Sequence, residues 1–154
     1  MRLWREGGCA GMVIAAASAL YLFGSTPHAQ GVPRYTARLA PVPIDAAGLA
    51  TVSGIGSAVA ELAGTKLSIT GTFERLRSPA TVARIHKGPK GISGAPFFDL
   101  TISKATSGTV SGTIDLSAAQ VRDLKAGRLY VQIHSERAPE GNLRGWLLPE
   151  EHGK

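Results

Sequence analysis

Cysteine is nearly absent from the sequence, and aromatic residues are few. The 154 residues include one cysteine, Cys9, and aromatic side chains make up 6%. Because Cys9 lies in the N-terminal leader described below, the rest of the chain has no thiol, which excludes a disulfide framework, a cysteine-based zinc site and a redox pair. Stability must therefore come from the core, which is feasible for ~120 residues because folding buries roughly two-thirds of the unfolded surface at that size.

Acidic residues are outnumbered, and no cluster of positive charge stands out. Charged residues make up 18%, with 17 Lys and Arg against 11 Asp and Glu, for a formal net charge of +6. The positive residues are spread from Arg34 to Lys154, and no aromatic residues that could stack on bases are interleaved with them. This pattern argues against nucleic-acid binding. The hydrophobic fraction of 44% excludes a disordered chain.

No hydrophobic run is long enough for a typical membrane-spanning helix. The apolar run at residues 10–23 has 14 residues, whereas a spanning helix needs about 20. It follows Arg2 and Arg5 and precedes a tail of small residues, which is the layout of a secretory signal. We predict a signal peptide at residues 1–29 and a single periplasmic or secreted domain at residues 30–154. An uncleaved membrane anchor is the alternative, because Pro27 is unfavourable beside the expected cleavage site.

Glycine and proline are plentiful, with 19 and 9 residues, and they indicate many turns. The segments between them predict seven or eight short strands, one of them at residues 49–56, with no alternation of strands and helices. One helix is predicted at about residues 117–126, since Ser117 and Gln120 can form a capping box and Gly127 can end it. The expected fold is all-β: an antiparallel Greek-key barrel or sandwich with one short helix.

Two segments in the later part of the chain carry a family pattern, namely residues 72–91 and 111–147. They resemble the CHRD (chordin) domain, with a looser match near Tyr35. The residues that fill the pattern are His86, Gly88, Pro89, Tyr130, His134, Pro139, Gly141, Arg144 and Gly145. The resemblance implies a small all-β domain of exported bacterial and extracellular animal proteins, and we expect a non-enzymatic binding or interaction module. In one departure, Arg84 stands where the family often has a further histidine.

A weaker, fold-level similarity points to copper–zinc superoxide dismutase. In that comparison, His86 and His134 correspond to copper ligands. Arg144 would be the catalytic arginine that attracts the anionic substrate. Arg84 occupies the place of another ligand, and no bridging histidine follows it. The alternative function implied by this similarity is a copper-binding domain with superoxide dismutase-like activity.

The residue types allow two interpretations of the histidine pair. Imidazole suits copper, and a further ligand at a site made by His86 and His134 could come from His152, Glu136 or water. However, closed metal sites usually use about three or four protein ligands. The other interpretation is that both histidines are structural and bond to backbone carbonyl groups at strand ends.

The arginines also have two interpretations. Arg144, Arg84 and Arg137 could form a pocket for a carboxylate or another anion, because guanidinium binds such groups in a bidentate manner. Alternatively, they could pair with acidic residues at the surface, namely Glu136, Glu140 and Asp99. The expected partner is a protein or a small anionic ligand, and a membrane only if the leader is uncleaved. The sequence has no nucleophile-elbow or phosphate-loop motif.

Overall fold

The computed structural model describes residues 31–42 and 50–150. The predicted signal peptide at residues 1–29 lies outside the described residues. The described ranges contain nine strands and one helix: β1 (Arg34–Pro41), β2 (Ile55–Ala63), β3 (Lys66–Glu74), β4 (Ala80–Lys87), β5 (Pro96–Ile102), β6 (Gly108–Asp115), α1 (Ala118–Lys125), β7 (Leu129–Ser135), β8 (Ala138–Trp146) and β9 (Leu148–Pro149).

The strands form a closed antiparallel barrel. Around the barrel the order is β1-β2-β3-β6-β5-β4-β7-β8, and β1 closes it by pairing with both β2 and β8. The two-residue β9 continues the pairing of β8 with β1. Because β6 lies beside β3, the strands β3 to β6 form a Greek key. The all-β prediction is confirmed, and of the two expected architectures the barrel is the one that forms.

The predicted capping box forms at the start of α1. The Ser117 hydroxyl accepts a hydrogen bond from the Gln120 backbone N–H at 3.2 Å, and the Gln120 side-chain oxygen accepts one from the Ser117 N–H at 2.8 Å. Gly127 follows the helix with a φ of +65°, as expected for a residue that ends a helix. This helix has eight residues, and no helix in the described ranges is long and apolar enough to cross a bilayer.

The strand predicted at residues 49–56 is wrong over residues 50–54. Of its described positions, residues 50–54 form a short turn segment, and β2 begins only at Ile55. Gly54 has a φ of +111°, which interrupts an extended strand. The backbone N–H of Ser53 donates to the side chain of Asn142 at 3.0 Å, so it is satisfied by a loop contact rather than by a strand partner.

Strand β7 differs from the other strands because both of its faces are buried. In β3, inward-facing residues such as Leu67 and Ile69 are buried and alternate with exposed residues, as expected for a barrel wall. All seven residues of β7 are buried. Its inward-facing side chains, such as Val131, fill the core, whereas its outward-facing side chains are covered by other parts of the chain.

Candidate functional site

Three adjacent strands contribute side chains to one group on the outside of the barrel. His86 on β4 lies opposite Tyr130 on β7, which lies opposite Trp146 on β8. Two residues further along β7, Gln132 lies opposite Arg144. Directly opposed residues in antiparallel strands are in contact range, so the register brings these side chains together. We call this group the outer cluster; it consists of His86, Tyr130, Gln132, His134, Arg144 and Trp146.

Gln132 is the centre of the hydrogen bonding in the outer cluster. Its side chain is buried, and its Nε2 donates to the Glu140 carbonyl oxygen at 3.0 Å and lies 3.4 Å from Nε2 of His134. Its Oε1 accepts a hydrogen bond of 2.7 Å from Nε of Arg144. One amide therefore uses both hydrogens and its oxygen, and it fixes the positions of His134 and Arg144.

Both histidines direct Nδ1 towards a backbone carbonyl. His134 Nδ1 lies 2.8 Å from the Pro139 oxygen, and His86 Nδ1 lies 2.9 Å from the Gly94 oxygen. A carbonyl oxygen can only accept, so each Nδ1 carries a hydrogen and each Nε2 has a lone pair in the neutral ring. The His134 lone pair accepts from the Gln132 amide. The His86 Nε2 is buried and has no hydrogen-bond partner among the described residues.

The surroundings of His86 favour its neutral form. Burial lowers the pKa of His86, and the nearby His134, Arg144 and Arg84 lower this pKa further, whereas the hydrogen bond to the Gly94 carbonyl opposes the shift. The ring stacks on Tyr130 with a centroid separation of 4.9 Å and an interplanar angle of 18°. His86 is therefore an uncharged ring packed among aromatic and cationic groups.

Arg144 lies against aromatic rings rather than against an acid. Its Cζ atom is 5.1 Å from the ring centroid of Tyr130 and 5.9 Å from that of Trp146. Contacts of this kind stabilise a guanidinium through the ring quadrupole. Among the described residues, no carboxylate lies within 4.0 Å of Arg144, whereas Nε of Arg84 lies 2.8 Å from Asp99.

The outer cluster borders a pocket of about 380 Å³. The charged and large apolar side chains that line it are Arg38, Pro41, Lys90, Arg144, Trp146 and Leu148. Three of them are cationic, and no acidic residue of the described ranges lines the pocket. We call it the cationic pocket.

Two glycines of β8 allow this arrangement. Gly141 has a φ of +139°, and a Cβ atom there would lie 2.7 Å from Nε2 of Gln132. A side chain at this position would displace the amide that organises the cluster. A Cβ atom on Gly145 would lie 2.5 Å from the Arg38 carbonyl oxygen. Gly145 therefore lets β1 approach β8, which brings Arg38 to the cationic pocket.

The family model of the CHRD domain matches residues 36–147, which is well over half of the chain. The chain belongs to the CHRD domain family. CHRD domains occur in extracellular or secreted proteins. No curated protein and no solved structure matches the chain.

Several positions that fill the CHRD pattern of the sequence converge in space. Tyr130, His134 and Arg144 belong to the outer cluster, and the Gly88 carbonyl accepts a 3.0 Å hydrogen bond from the Trp146 indole N–H. The Tyr130 hydroxyl also binds the loop, because it accepts from the Gly94 N–H at 2.9 Å and lies 3.2 Å from the Gly94 carbonyl oxygen. The loop at residues 88–94 is thus attached to the cluster near both of its ends.

The residues predicted from the sequence fall into two groups. His86, His134 and Arg144 come together in the outer cluster, as their strand positions indicated. Arg84 does not line the cationic pocket, because it pairs with Asp99, which is the surface ion pair named as the alternative. Of the other residues named for the site, Glu136 is exposed and the Arg137 backbone N–H donates to Ser78, and neither residue lines the pocket. His152 lies outside the described residues.

Sequence reasoning missed the roles of three residues. Gln132 shares the outward face of β7 with Tyr130 and His134, and this spacing of two was the available signal. Arg38 and Lys90 join the pocket only because the barrel closes and the loop at residues 88–94 folds back. No local pattern in the sequence indicates either contact.

The histidine pair lacks a complete ligand set in the described part of the chain. The ring centroids of His86 and His134 are 6.2 Å apart. With metal–nitrogen bonds of ~2.0 Å, two imidazole centroids would lie about 5 Å apart at a tetrahedral angle and about 6 Å apart in a linear arrangement, so the absence of a third ligand among the described residues is the clearer departure. In the described ranges, no three His, Cys, Asp or Glu residues are grouped so that they could hold a metal ion.

Proposed function

We propose that this CHRD domain is an exported, non-enzymatic binding module whose binding surface is the cationic pocket together with the outer cluster. The observation that carries the proposal is Arg144, a half-buried guanidinium that has no carboxylate within 4.0 Å among the described residues and yet is held in place by Gln132 and two aromatic rings. Because this side chain is already ordered, binding a partner through it costs little conformational entropy.

The contacts of His134, whose two ring nitrogens are both engaged, support binding rather than chemistry. Both rings direct Nδ1 to a backbone carbonyl, and His134 uses Nε2 on Gln132. A histidine that activates a hydroxyl nucleophile instead directs a ring nitrogen to that hydroxyl. His134 therefore holds β8, from which Arg144 and Trp146 extend, through the Pro139 carbonyl, and His86 holds the loop at residues 88–94 through the Gly94 carbonyl.

Site-specific photo-cross-linking in the producing cell tests this function. A photo-reactive residue in place of Lys90, which lines the cationic pocket, is expected to give a discrete adduct with a partner. The adduct should disappear when Arg144→Gln is added. A photo-reactive residue in place of Lys66, on the other side of the barrel, is the control and should give no such adduct. Equal adduct formation at both positions would contradict the proposed surface.

Export is tested separately with the full chain. Fractionation of cells that produce the full chain should place it in the periplasm or medium, and a variant that begins at residue 30 should stay in the cytoplasm. Retention of the full chain in the cytoplasm would remove the export part of the proposal.

Copper binding, with superoxide dismutase-like activity, is a second candidate function. One observation favours it: each Nδ1 bonds to a carbonyl, a contact that commonly orients metal-binding histidines, and the His86 Nε2 is unpartnered. The positive charges of Arg84 and Arg144 oppose it. Calorimetric titration with copper separates the two functions: one-to-one binding that the double variant His86→Gln/His134→Gln loses supports a copper site, and equal weak binding in both proteins refutes it.

A further inference from the structure

We propose that the cationic pocket binds an acidic peptide segment of a partner protein, in which a carboxylate side chain lies next to an apolar one. This inference rests on the proposed binding function and specifies the chemistry of the occupant. It follows from the charges that line the pocket, from the apolar part of its wall and from the ion pairs around it.

No carboxylate in the described part of the chain neutralises the charge of the pocket. Among the described residues, Arg38, Lys90 and Arg144 have no carboxylate within 4.0 Å. Because Arg144 uses Nε on Gln132, its two terminal nitrogens remain for a ligand. A guanidinium and a carboxylate match in a bidentate geometry, and the half-buried position strengthens the attraction by lowering the effective dielectric constant.

Part of the pocket wall is apolar, so its occupant should carry an apolar group as well as a negative charge. Pro41, Trp146 and Leu148 supply apolar surface, and Leu148 is 39% exposed. The loop that brings Lys90 also carries Ile92, which is 60% exposed. A free inorganic anion would satisfy the arginines and leave this apolar surface in water. A carboxylate with an apolar neighbour would satisfy both parts.

The surroundings of the pocket disfavour an extended polyanion. Arg34, on the same strand as Arg38, pairs with Glu61 and Glu150 at 3.4 and 3.5 Å. Arg84, across Gln132 from Arg144, pairs with Asp99. A sulfated polysaccharide would need a continuous track of free cations, and here it would meet carboxylates on both sides. A compact acidic segment would contact only the three unpaired cations.

The pocket is also ordered before binding. The loop at residues 88–94 is attached through the Gly88 carbonyl to Trp146 and through Gly94 to Tyr130. Lys90 lies between these two attachment points. Binding therefore needs no rearrangement of the loop that carries Lys90, which favours recognition of a specific segment.

Nuclear magnetic resonance titration of the ¹⁵N-labelled full chain tests this inference. The probe is the peptide acetyl-Leu-Glu-Leu-Glu-amide, and its control is acetyl-Leu-Gln-Leu-Gln-amide. We expect saturable shifts of the Trp146 indole N–H and the Arg144 Nε–H with the acidic peptide. The affinity for the neutral peptide should be lower by about tenfold or more, since a charge-assisted hydrogen bond is lost.

Two matched variants complete the test. Arg144→Gln should weaken binding of the acidic peptide about tenfold or more, whereas Arg84→Gln, which removes the paired arginine of the same row, should leave it unchanged. The dispersion of each spectrum shows that the variant is folded. Equal effects of the two substitutions would overturn the inference.

Other probes distinguish failure of this inference from failure of the proposed function. If inorganic phosphate or a heparin hexasaccharide shifts the same signals with at least the affinity of the acidic peptide, the acidic-peptide inference is wrong. The cross-link at Lys90 would still support a binding surface in that case. Absence of both the peptide shifts and the Lys90 adduct would remove the inference and the function together.

Discussion

The two sides of this barrel share one core and differ in what covers the outside. On the side of β4, β7 and β8, the outward side chains of β7 are buried. On the side of β2, β3 and β6, the outward side chains of β3, such as Thr70 and Thr72, are exposed. We call these the covered side and the open side. Since both are antiparallel and both pack on the core, burial of the outer face is not a requirement of the fold.

The polar side chains of the two sides differ in their need for hydrogen-bond partners. The cross-strand row Ser57, Thr72 and Thr109 on the open side is exposed to water. On the covered side, Gln132 and His134 are removed from water, which is unfavourable unless each polar atom is hydrogen-bonded. The side-chain polar atoms of Gln132 and His134 all have hydrogen-bond partners. Among the buried side-chain polar atoms of the described residues, the His86 Nε2 has no such partner. The covered side is thus organised around groups that the core does not require.

The largest expected difference concerns glycines with positive φ on the two sides. Gly141→Ala on β8 should cost about 3 kcal/mol or more, because it combines the strain of φ +139° with a Cβ atom 2.7 Å from Nε2 of Gln132. Gly64→Ala, in the β2–β3 turn, should cost only about 1 kcal/mol, because its φ is +66° and nothing lies within 4 Å of the added atom. Urea unfolding measures both, and equal costs would contradict the packing argument.

A somewhat smaller effect is expected from the central amide. Gln132→Leu keeps the approximate volume and removes the partners of His134, Arg144 and the Glu140 carbonyl. Leaving buried polar groups unpaired should lower the free energy of unfolding by about 2 kcal/mol. The control Thr70→Ala on the open side should change it by less than about 0.5 kcal/mol. A Gln132→Leu variant as stable as the control would show that the hydrogen-bond network is not stabilising.

Local sequence signals account for the fold better than for the pocket. The capping box at Ser117 and the alternation along the strands are encoded within a few residues, and both were predicted. The strand predicted across residues 50–54 failed because its weak pattern could not show that Ser53 binds Asn142, far along the chain.

The candidate site is predictable where the family pattern marks its residues. His86, His134 and Arg144 were named because they fill positions of the family pattern, and the spacing of two along one strand placed His134 on the same face as Tyr130 and Gln132. Arg38 reaches the pocket through the pairing of Ala40 with Arg144, which closes the barrel between its first and last strands. Such a contact depends on the whole fold, so no segment of the sequence contains it.

His86, on the covered side, should make the free energy of unfolding depend on pH. Because burial, together with His134, Arg144 and Arg84, lowers the pKa of His86 in the folded protein, the unfolded chain takes up the proton first. Stability from this group is complete above its unfolded pKa of about 6.5 and is lost as the pH falls below it. His86→Phe, which keeps a ring against Tyr130, should reduce the loss measured by urea unfolding at pH 7.5 and 5.5. An identical loss in both proteins would show that other groups cause it.

The smallest effect is expected where the two sides should be alike, at their exposed ion pairs. On the covered side, Arg84 and Asp99 are 2.8 Å apart, and their side chains are 38% and 70% exposed. On the open side, Lys66 and Asp115 are 3.4 Å apart, and their side chains are 57% and 72% exposed. Water screens both pairs, so Arg84→Gln and Lys66→Gln should each cost less than about 1 kcal/mol.

Together with Gln132→Leu, these two substitutions show whether charge or burial makes substitutions on the covered side more costly in free energy of unfolding. If burial is the origin, both costs should shrink in ~1 M salt, where the screening length is about 3 Å, and the cost of Gln132→Leu should persist because its partners are shielded from the solvent. Urea unfolding at low and high salt measures all three variants. A cost for Arg84→Gln well above that for Lys66→Gln, and insensitive to salt, would instead show that the Arg84–Asp99 ion pair, and not burial alone, stabilises the covered side.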